Sequence, residues 1–190
     1  MSINSLSTSP LGFEWPWQYE FPPFFTIQPN SDTRIKQLEA WCDLILAYYR
    51  ASKTYIMDLT EVSQSSPLFC NSKINRRLSP EAIRTVLETL ESKGNVEWQD
   101  GKKDRCLVMW RTPQEWGQLI YQWAEDSGLS TSVCTLYEMH SGEDTTDQEF
   151  YGMEVWMLKR AIQALSRLGK AELIPGDNPD GSDAGVKFFS

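Results

Sequence analysis

The sequence predicts an α+β fold in which one small helix-and-strand unit occurs twice, behind an extended Pro- and aromatic-rich arm. Three observations predict it. The first is an internal repeat. Adding 75 to a residue number carries Trp41, Leu44, Ile45 and Tyr48 onto Trp116, Leu119, Ile120 and Trp123. The same offset carries Ile83, Val86, Leu87, Leu90 and Gly94 onto Leu158, Ala161, Ile162, Leu165 and Gly169. The second is that helical and strand-like apolar spacing follow each other in the same order in both halves. The third is the stretch 15–25, WPWQYEFPPFF, in which six residues are aromatic and three are proline.

That stretch contains the pattern aromatic-Pro-x-x-aromatic twice, as Trp15-Pro16-Trp17-Gln18-Tyr19 and Phe21-Pro22-Pro23-Phe24-Phe25. A polyproline-II segment repeats every three residues, so positions six apart return to one face. Its stiffness lowers the entropy lost on docking. The arm, residues 13–30, either presents aromatic plugs to pockets on another chain or folds back into the core of its own domain. Composition leaves both open. Residues 1–12 ahead of it are rich in Ser, Thr and Asn and are expected to be disordered.

Beyond the break at Pro29 and Asn30, Ser31 or Asp32 is placed to cap a helix. Ile35, Leu38, Trp41, Cys42, Ile45, Leu46 and Tyr49 give that helix its apolar spacing over 33–52. A short strand is expected at 54–57, a short helix at 58–63 and a loop near Pro67. Ser79-Pro80-Glu81 starts the next helix with a cap, a proline at the first helical position and an early acid. Gly94 ends it. Residues 95–99 and 105–110 read as strands around a charged turn. Thr112-Pro113 starts the second half, with a helix closed by Gly128, a strand at 133–136, an acidic loop with at most one turn of helix over 141–152, a helix at 154–168, and strands at 171–174 and 186–189. Each half therefore reads helix, strand, short helix, helix, strand, strand. That order is the winged-helix arrangement, here with domains at 31–111 and 112–190 and little chain between them.

The chemistry-bearing residues are few. The single histidine, His140, has no partners at catalytic or metal-ligand spacing and is expected in an exposed loop. No phosphate loop, nucleophile elbow or HExxH is present. The cysteines Cys42, Cys70, Cys106 and Cys134 form no CxxC pair, so free thiols are expected, with Cys106 and Cys134 as core residues. No enzyme, cofactor or metal is indicated. No signal peptide, long apolar run or lipidation motif is seen, so the expectation is a cytoplasmic chain that meets membrane only through partners.

A winged helix also raises DNA binding, with the third helix in the major groove. The third helix of the first half carries Arg84 and Lys93 among Glu81, Glu88 and Glu91, and that of the second carries Lys159, Arg160 and Arg167. Lys73, Arg76, Arg77, Lys102, Lys103 and Arg105 add local positive charge. A net charge of -8 opposes broad nucleic-acid binding, which rests on neutralising phosphates. The acids Glu143, Asp144, Asp147 and Glu149 lack calcium-loop spacing and read as a solvated loop or a contact for a basic partner.

The segments WPWQYEFPPFFTIQPN, TRIKQLEAWCDLIL, SPLFCNSKINRRL, VMWRTPQEWGQLIYQW and GVKFF, taken together, resemble the family of small winged-helix subunits of the ESCRT-II complex, over nearly the whole chain. The resemblance implies a non-enzymatic assembly subunit, present in two copies beside two larger winged-helix subunits. It implies that Trp15, Pro16, Trp17, Tyr19, Phe21, Pro22, Pro23, Phe24 and Phe25 meet those larger subunits. It further implies that the second domain engages a myristoylated ESCRT-III subunit at the endosomal membrane surface. The acidic loop, Glu143, Asp144, Asp147 and Glu149, is the complementary surface for its basic first helix. Some relatives carry a stricter Pro-Pro-x-Tyr element. Here Trp17 stands for one proline and Phe25 for one tyrosine, with loss of the hydroxyl.

Overall fold

A computed structural model of the chain describes residues 12–190, and apart from Gly12 the stretch expected to be disordered lies outside the described residues. The chain divides between Trp110 and Arg111 into two units. Both are winged-helix domains.

In the first unit the long helix α1 (Ser31–Ser52) is followed by strand β1 (Ile56–Asp58) and helix α2 (Leu59–Ser65). A two-residue hairpin, β2 (Cys70–Asn71) and β3 (Arg76–Arg77), precedes helix α3 (Pro80–Ser92). Strands β4 (Val96–Trp98) and β5 (Arg105–Val108) form the wing. The wing joins β1 in an antiparallel sheet of order β1-β5-β4, with Cys106 opposite both Met57 and Trp98. The second unit runs α4 (Pro113–Asp126), β6 (Val133–Thr135), α5 (Leu136–Ser141), α6 (Val155–Arg167), β7 (Ala171–Ile174) and β8 (Gly185–Phe188). Its sheet order, β6-β8-β7, repeats the first, with Val186 opposite both Cys134 and Leu173.

The repeat is a repeat of cores. Trp41 and Trp116 are both fully buried, as are Ile45 and Ile120, Ile83 and Leu158, and Leu87 and Ile162. Each such side chain contributes about 1.5–3 kcal/mol through apolar area removed from water. Gly94 and Gly169 both take positive φ, 81° and 69°, where a side chain would be strained. Cys106 and Cys134 are buried in their strands, and all four cysteines are free. Burial pushes Cys106 and Cys134 up to about 12, which keeps these thiols protonated.

Several local details differ from the sequence reading. Asn30, rather than Ser31 or Asp32, caps α1: its side chain accepts from the Thr33 N–H at 3.0 Å. The strand after α1 begins at Ile56, because Lys53 turns left-handed at φ 51° and Thr54 N–H still bonds back to Tyr49. The hairpin β2–β3 has no sequence-level counterpart in the expected order. His140 lies in the last turn of α5, half-buried, with its Nδ1 2.7 Å from Ser141 Oγ and its ring edge-on to Tyr137. It is therefore neither exposed nor in a loop.

The two units differ in how closely their first and third helices approach. Gly117 on α4 stands where the repeat places Cys42 on α1. A methyl group at Gly117 would lie 2.9 Å from the Ala161 carbonyl and 3.2 Å from Leu165 Cγ. We expect Gly117→Val to destabilise the second unit by about 1–3 kcal/mol through overpacking. Denaturant unfolding should show a displaced transition for that unit alone.

Candidate partner-binding site

The arm is the first unit's most unusual surface, and its backbone explains it. Pro16 precedes a 3-10 turn, Trp17–Glu20, closed by Tyr19 N–H to Pro16 O at 3.0 Å. Pro22 opens a second, Pro22–Phe25, closed by Phe24 N–H to Phe21 O at 3.0 Å. The segment is thus a pair of 3-10 turns rather than an extended polyproline-II arm. Both conformations have three residues per turn and suit the fixed φ of proline, so residue periodicity does not separate them. Positions six apart do share a face for Tyr19 and Phe25, whose rings lie 5.8 Å apart.

The arm lies on its own unit. Tyr19, Phe24 and Phe25 are buried, at 7%, 4% and 3% exposure. Phe24 stacks on Trp41 with centroids 4.3 Å apart, and Trp15, half-buried, stacks on Tyr19 at 3.9 Å. Buried polar groups fix the backbone. Gln37 Nε2 donates to the carbonyls of Phe24 and Thr26 at 2.9 and 2.8 Å, while its Oε1 accepts from Gln28 N–H at 3.0 Å. Trp41 Nε1 also donates to Phe24 O, at 2.9 Å. Asn71 Nδ2 donates to Tyr19 O at 2.7 Å, and the Tyr19 hydroxyl donates to the carbonyls of Pro67 and Cys70. Folding back is therefore the outcome for Tyr19, Phe24 and Phe25.

It is not the outcome for the whole motif. Trp17 is 71% exposed and Phe21 48%, their rings 5.7 Å apart, with Pro23 exposed and Pro16 and Pro22 half-buried. Trp17 and Phe21 border a largely apolar groove of about 480 Å3 that continues past Phe24 to Lys36 and Ala40 on α1. The hairpin β2–β3 stands beside the arm. Lys73 at its tip pairs with Glu20, and Arg76 is exposed with its guanidinium on the adjacent Asn75 carbonyl. Asn75 at φ 51° makes the tight turn, and that Asn was the one available sequence signal for this element.

The predicted acidic site in the second unit is split. Glu143 and Asp144 open a 3-10 turn, Glu143–Thr145, and both are exposed, as is Asp147. Asp144 and Asp147 border a polar groove of about 680 Å3 shared with Glu115, Gln118, Gln122 and Asp126 of α4. Glu149 instead turns onto Arg111, accepting from Nε at 3.1 Å and from a terminal nitrogen at 2.8 Å. That carboxylate holds the Arg111 guanidinium charged, above its ordinary range. Glu115 and Asp126 were missed in the motif reading. The signal for them is the charge split: Arg111–Ser190 holds thirteen acids against six bases, the rest of the chain thirteen against twelve.

Two of the bases that raised the alternative of DNA binding in the first unit are paired internally. Arg84 on α3 pairs with Asp104 of the wing at 2.9 Å, and Lys103 reaches Glu91 at 3.7 Å. Among the described residues no group of three His, Cys, Asp or Glu could hold a metal, and no described helix is long and apolar enough to cross a membrane.

A family model described as ESCRT-II complex subunit matches residues 18–154. The chain belongs to the ESCRT-II complex subunit family. Vacuolar protein-sorting-associated protein 25 of Danio rerio is 59% identical over 94% of this chain and 100% of its own length. The protein of that name from Drosophila melanogaster is 42% identical over 93% and 98%. Among solved structures, the endosomal complex ESCRT-II of VPS22, VPS25 and VPS36 contains a chain 31% identical with a TM-score of 0.73, matched over 91% of this chain and 98% of that one. The isolated VPS25 subunit of ESCRT-II matches with a TM-score of 0.72 at 28% identity, over 90% and 97%.

Two expectations follow from the arm. Phe24→Ala is expected to destabilise the first unit by about 3–5 kcal/mol, whereas Trp17→Ala with Phe21→Ala should change it by no more than about 0.5 kcal/mol per site. Thermal unfolding of the isolated chain separates them. Burial raises Tyr19 to about 12 from 10.0 and raises Tyr48 and Tyr49 too. A raised folded value means the stability it contributes is complete below pH 10 and lost as pH climbs toward 12. An alkaline titration followed by tyrosinate absorbance should therefore show the first unit loosening above pH 10.

Proposed function

We propose that this chain is a non-enzymatic assembly subunit of ESCRT-II acting in endosomal sorting. Its first domain docks on the two larger winged-helix subunits, the counterparts of VPS22 and VPS36, with two copies of this chain in each complex. Its second domain recruits and activates a myristoylated ESCRT-III subunit. It works in the cytoplasm and meets the endosomal membrane through these partners.

The observation that carries the reading is the exposure of Trp17 and Phe21 on an arm whose backbone is already immobilised. Large exposed aromatics on a fixed platform lose little entropy on binding and fit the profile of interface anchors. Trp15, Pro16, Tyr19, Pro22, Pro23, Phe24 and Phe25 shape that platform, and Pro23 and Phe24 also reach the groove. Arg76, exposed beside the arm, is suited to steer a partner carboxylate into register. In the second domain the excess of acids and the groove at Asp144 and Asp147 favour a basic helix.

Truncating an anchor at an interface centre costs roughly 2–4 kcal/mol, about 30- to 1000-fold in affinity. Trp17→Ala with Phe21→Ala should therefore lose the immobilised larger subunits while keeping the melting temperature and the ESCRT-III contact. Retention of full affinity would remove the arm from the interface. Asp144→Lys with Asp147→Lys should slow association with the ESCRT-III subunit, most clearly at low salt, and leave the larger subunits bound.

A further inference from the structure

The sequence GEDTTDQEF in the second unit places two threonines side by side in an acidic segment, and the structure treats them oppositely. Thr145 is 1% exposed, and its hydroxyl donates to the carbonyls of Glu138 and Gly142 at 3.3 and 3.1 Å. Thr146 is exposed, its hydroxyl donating to the Glu143 carbonyl at 3.1 Å. We propose that Thr146 is a phosphate-acceptor site for an acid-directed Ser/Thr kinase, and that its phosphate extends the acidic rim of the α4 groove. The effect on binding rests on the reading of that groove as a face for a basic helix.

The recognition chemistry is local. Asp147 follows Thr146 directly and Glu149 lies three residues after it, while Asp144 and Glu143 lie two and three before. Glu143, Asp144 and Asp147 are exposed, so a kinase with a base-lined substrate groove meets carboxylates on both sides of the hydroxyl, while Glu149 is held by Arg111. Of the neighbouring hydroxyls, Thr145 is buried, and Ser141 is half-buried and held 2.7 Å from His140 Nδ1. In the transfer Thr146 Oγ1 attacks the γ-phosphorus of ATP. The new O–P bond forms as the bond to the bridging β–γ oxygen breaks, the hydroxyl proton passes to the kinase's base, and ADP leaves.

Phosphothreonine carries about -1.5 to -2 charge at neutral pH. Asp144 and Asp147, two residues before Thr146 and one after it, border the groove, so the charge is added to a segment that already attracts a cationic partner. Such charge acts chiefly on the association rate and is screened by salt.

The test incubates the full chain with ATP and an acid-directed Ser/Thr kinase and locates phosphate by fragment mass spectrometry. A single phosphate at Thr146 is expected, lost in Thr146→Val and retained in Ser141→Ala. No phosphate, or phosphate that persists in Thr146→Val, overturns the site. The modified and unmodified chains are then compared for association with the ESCRT-III subunit. An on-rate raised roughly threefold at low ionic strength, with the difference shrinking as salt is added, is expected. An unchanged rate at full modification overturns the effect on binding. Charge reversal at Asp144 and Asp147 in the unmodified chain tests the groove reading separately.

Discussion

The buried amide of Gln37 is the interaction on which the first unit's surface depends. An arm of two short 3-10 turns, interrupted by proline, cannot satisfy its own carbonyls, and a buried carbonyl left unpaired costs about 1–3 kcal/mol. Gln37 supplies what the backbone lacks, donating to Phe24 and Thr26 and accepting from Gln28. Trp41, one helical turn along α1, gives its indole N–H to the same Phe24 carbonyl and its ring face to the Phe24 side chain. A single face of α1 thus serves as the mould for the arm. Only with the backbone held can Phe24 and Phe25 remain in the core while Trp17 and Phe21 stand out of it.

The same helical face is used in both units, with different roofs. Lys36, Ala40, Asp43, Leu44 and Ala47 border the grooves of the first unit, and the repeat carries them onto Arg111, Glu115, Gln118, Leu119 and Gln122, which border the groove of the second. In the first the roof is the aromatic arm, and the groove is mostly apolar. In the second the roof is the acidic loop carrying Asp144 and Asp147, and the groove is polar. Two copies of one fold have kept their cores and diverged in what covers the first helix. This places the two proposed interfaces at equivalent positions and gives them opposite chemistry.

Much of this was legible in the sequence because it rests on periodicity. The offset of 75 and the paired helical faces report burial of side chains, which repeats with helix geometry, and Gly94 and Gly169 mark helix ends that need positive φ. The arm's conformation was not legible, since 3-10 and polyproline-II share a three-residue repeat. The partition of its aromatics was also hidden. It follows from Gln37 and Asn71, two polar residues that look like surface residues until the fold brings them under the arm. The hairpin β2–β3 escaped because two strands of two residues each are too short to carry an alternation to detect. Glu149 looked like one of four equivalent acids, and only tertiary geometry gives it to Arg111.

The division of labour within the arm has a consequence for how such a surface changes over generations. The residues that hold the platform, Tyr19, Phe24, Phe25 and Gln37, lie inside the unit, and those offered outward, Trp17 and Phe21, contribute to its internal hydrogen bonds through backbone atoms and not, among the described contacts, through their side chains. Substitution at the outward positions leaves the mould unaltered. A partner's pocket and these two side chains are therefore free to drift together, one small step at a time, without either chain passing through an unfolded ancestor.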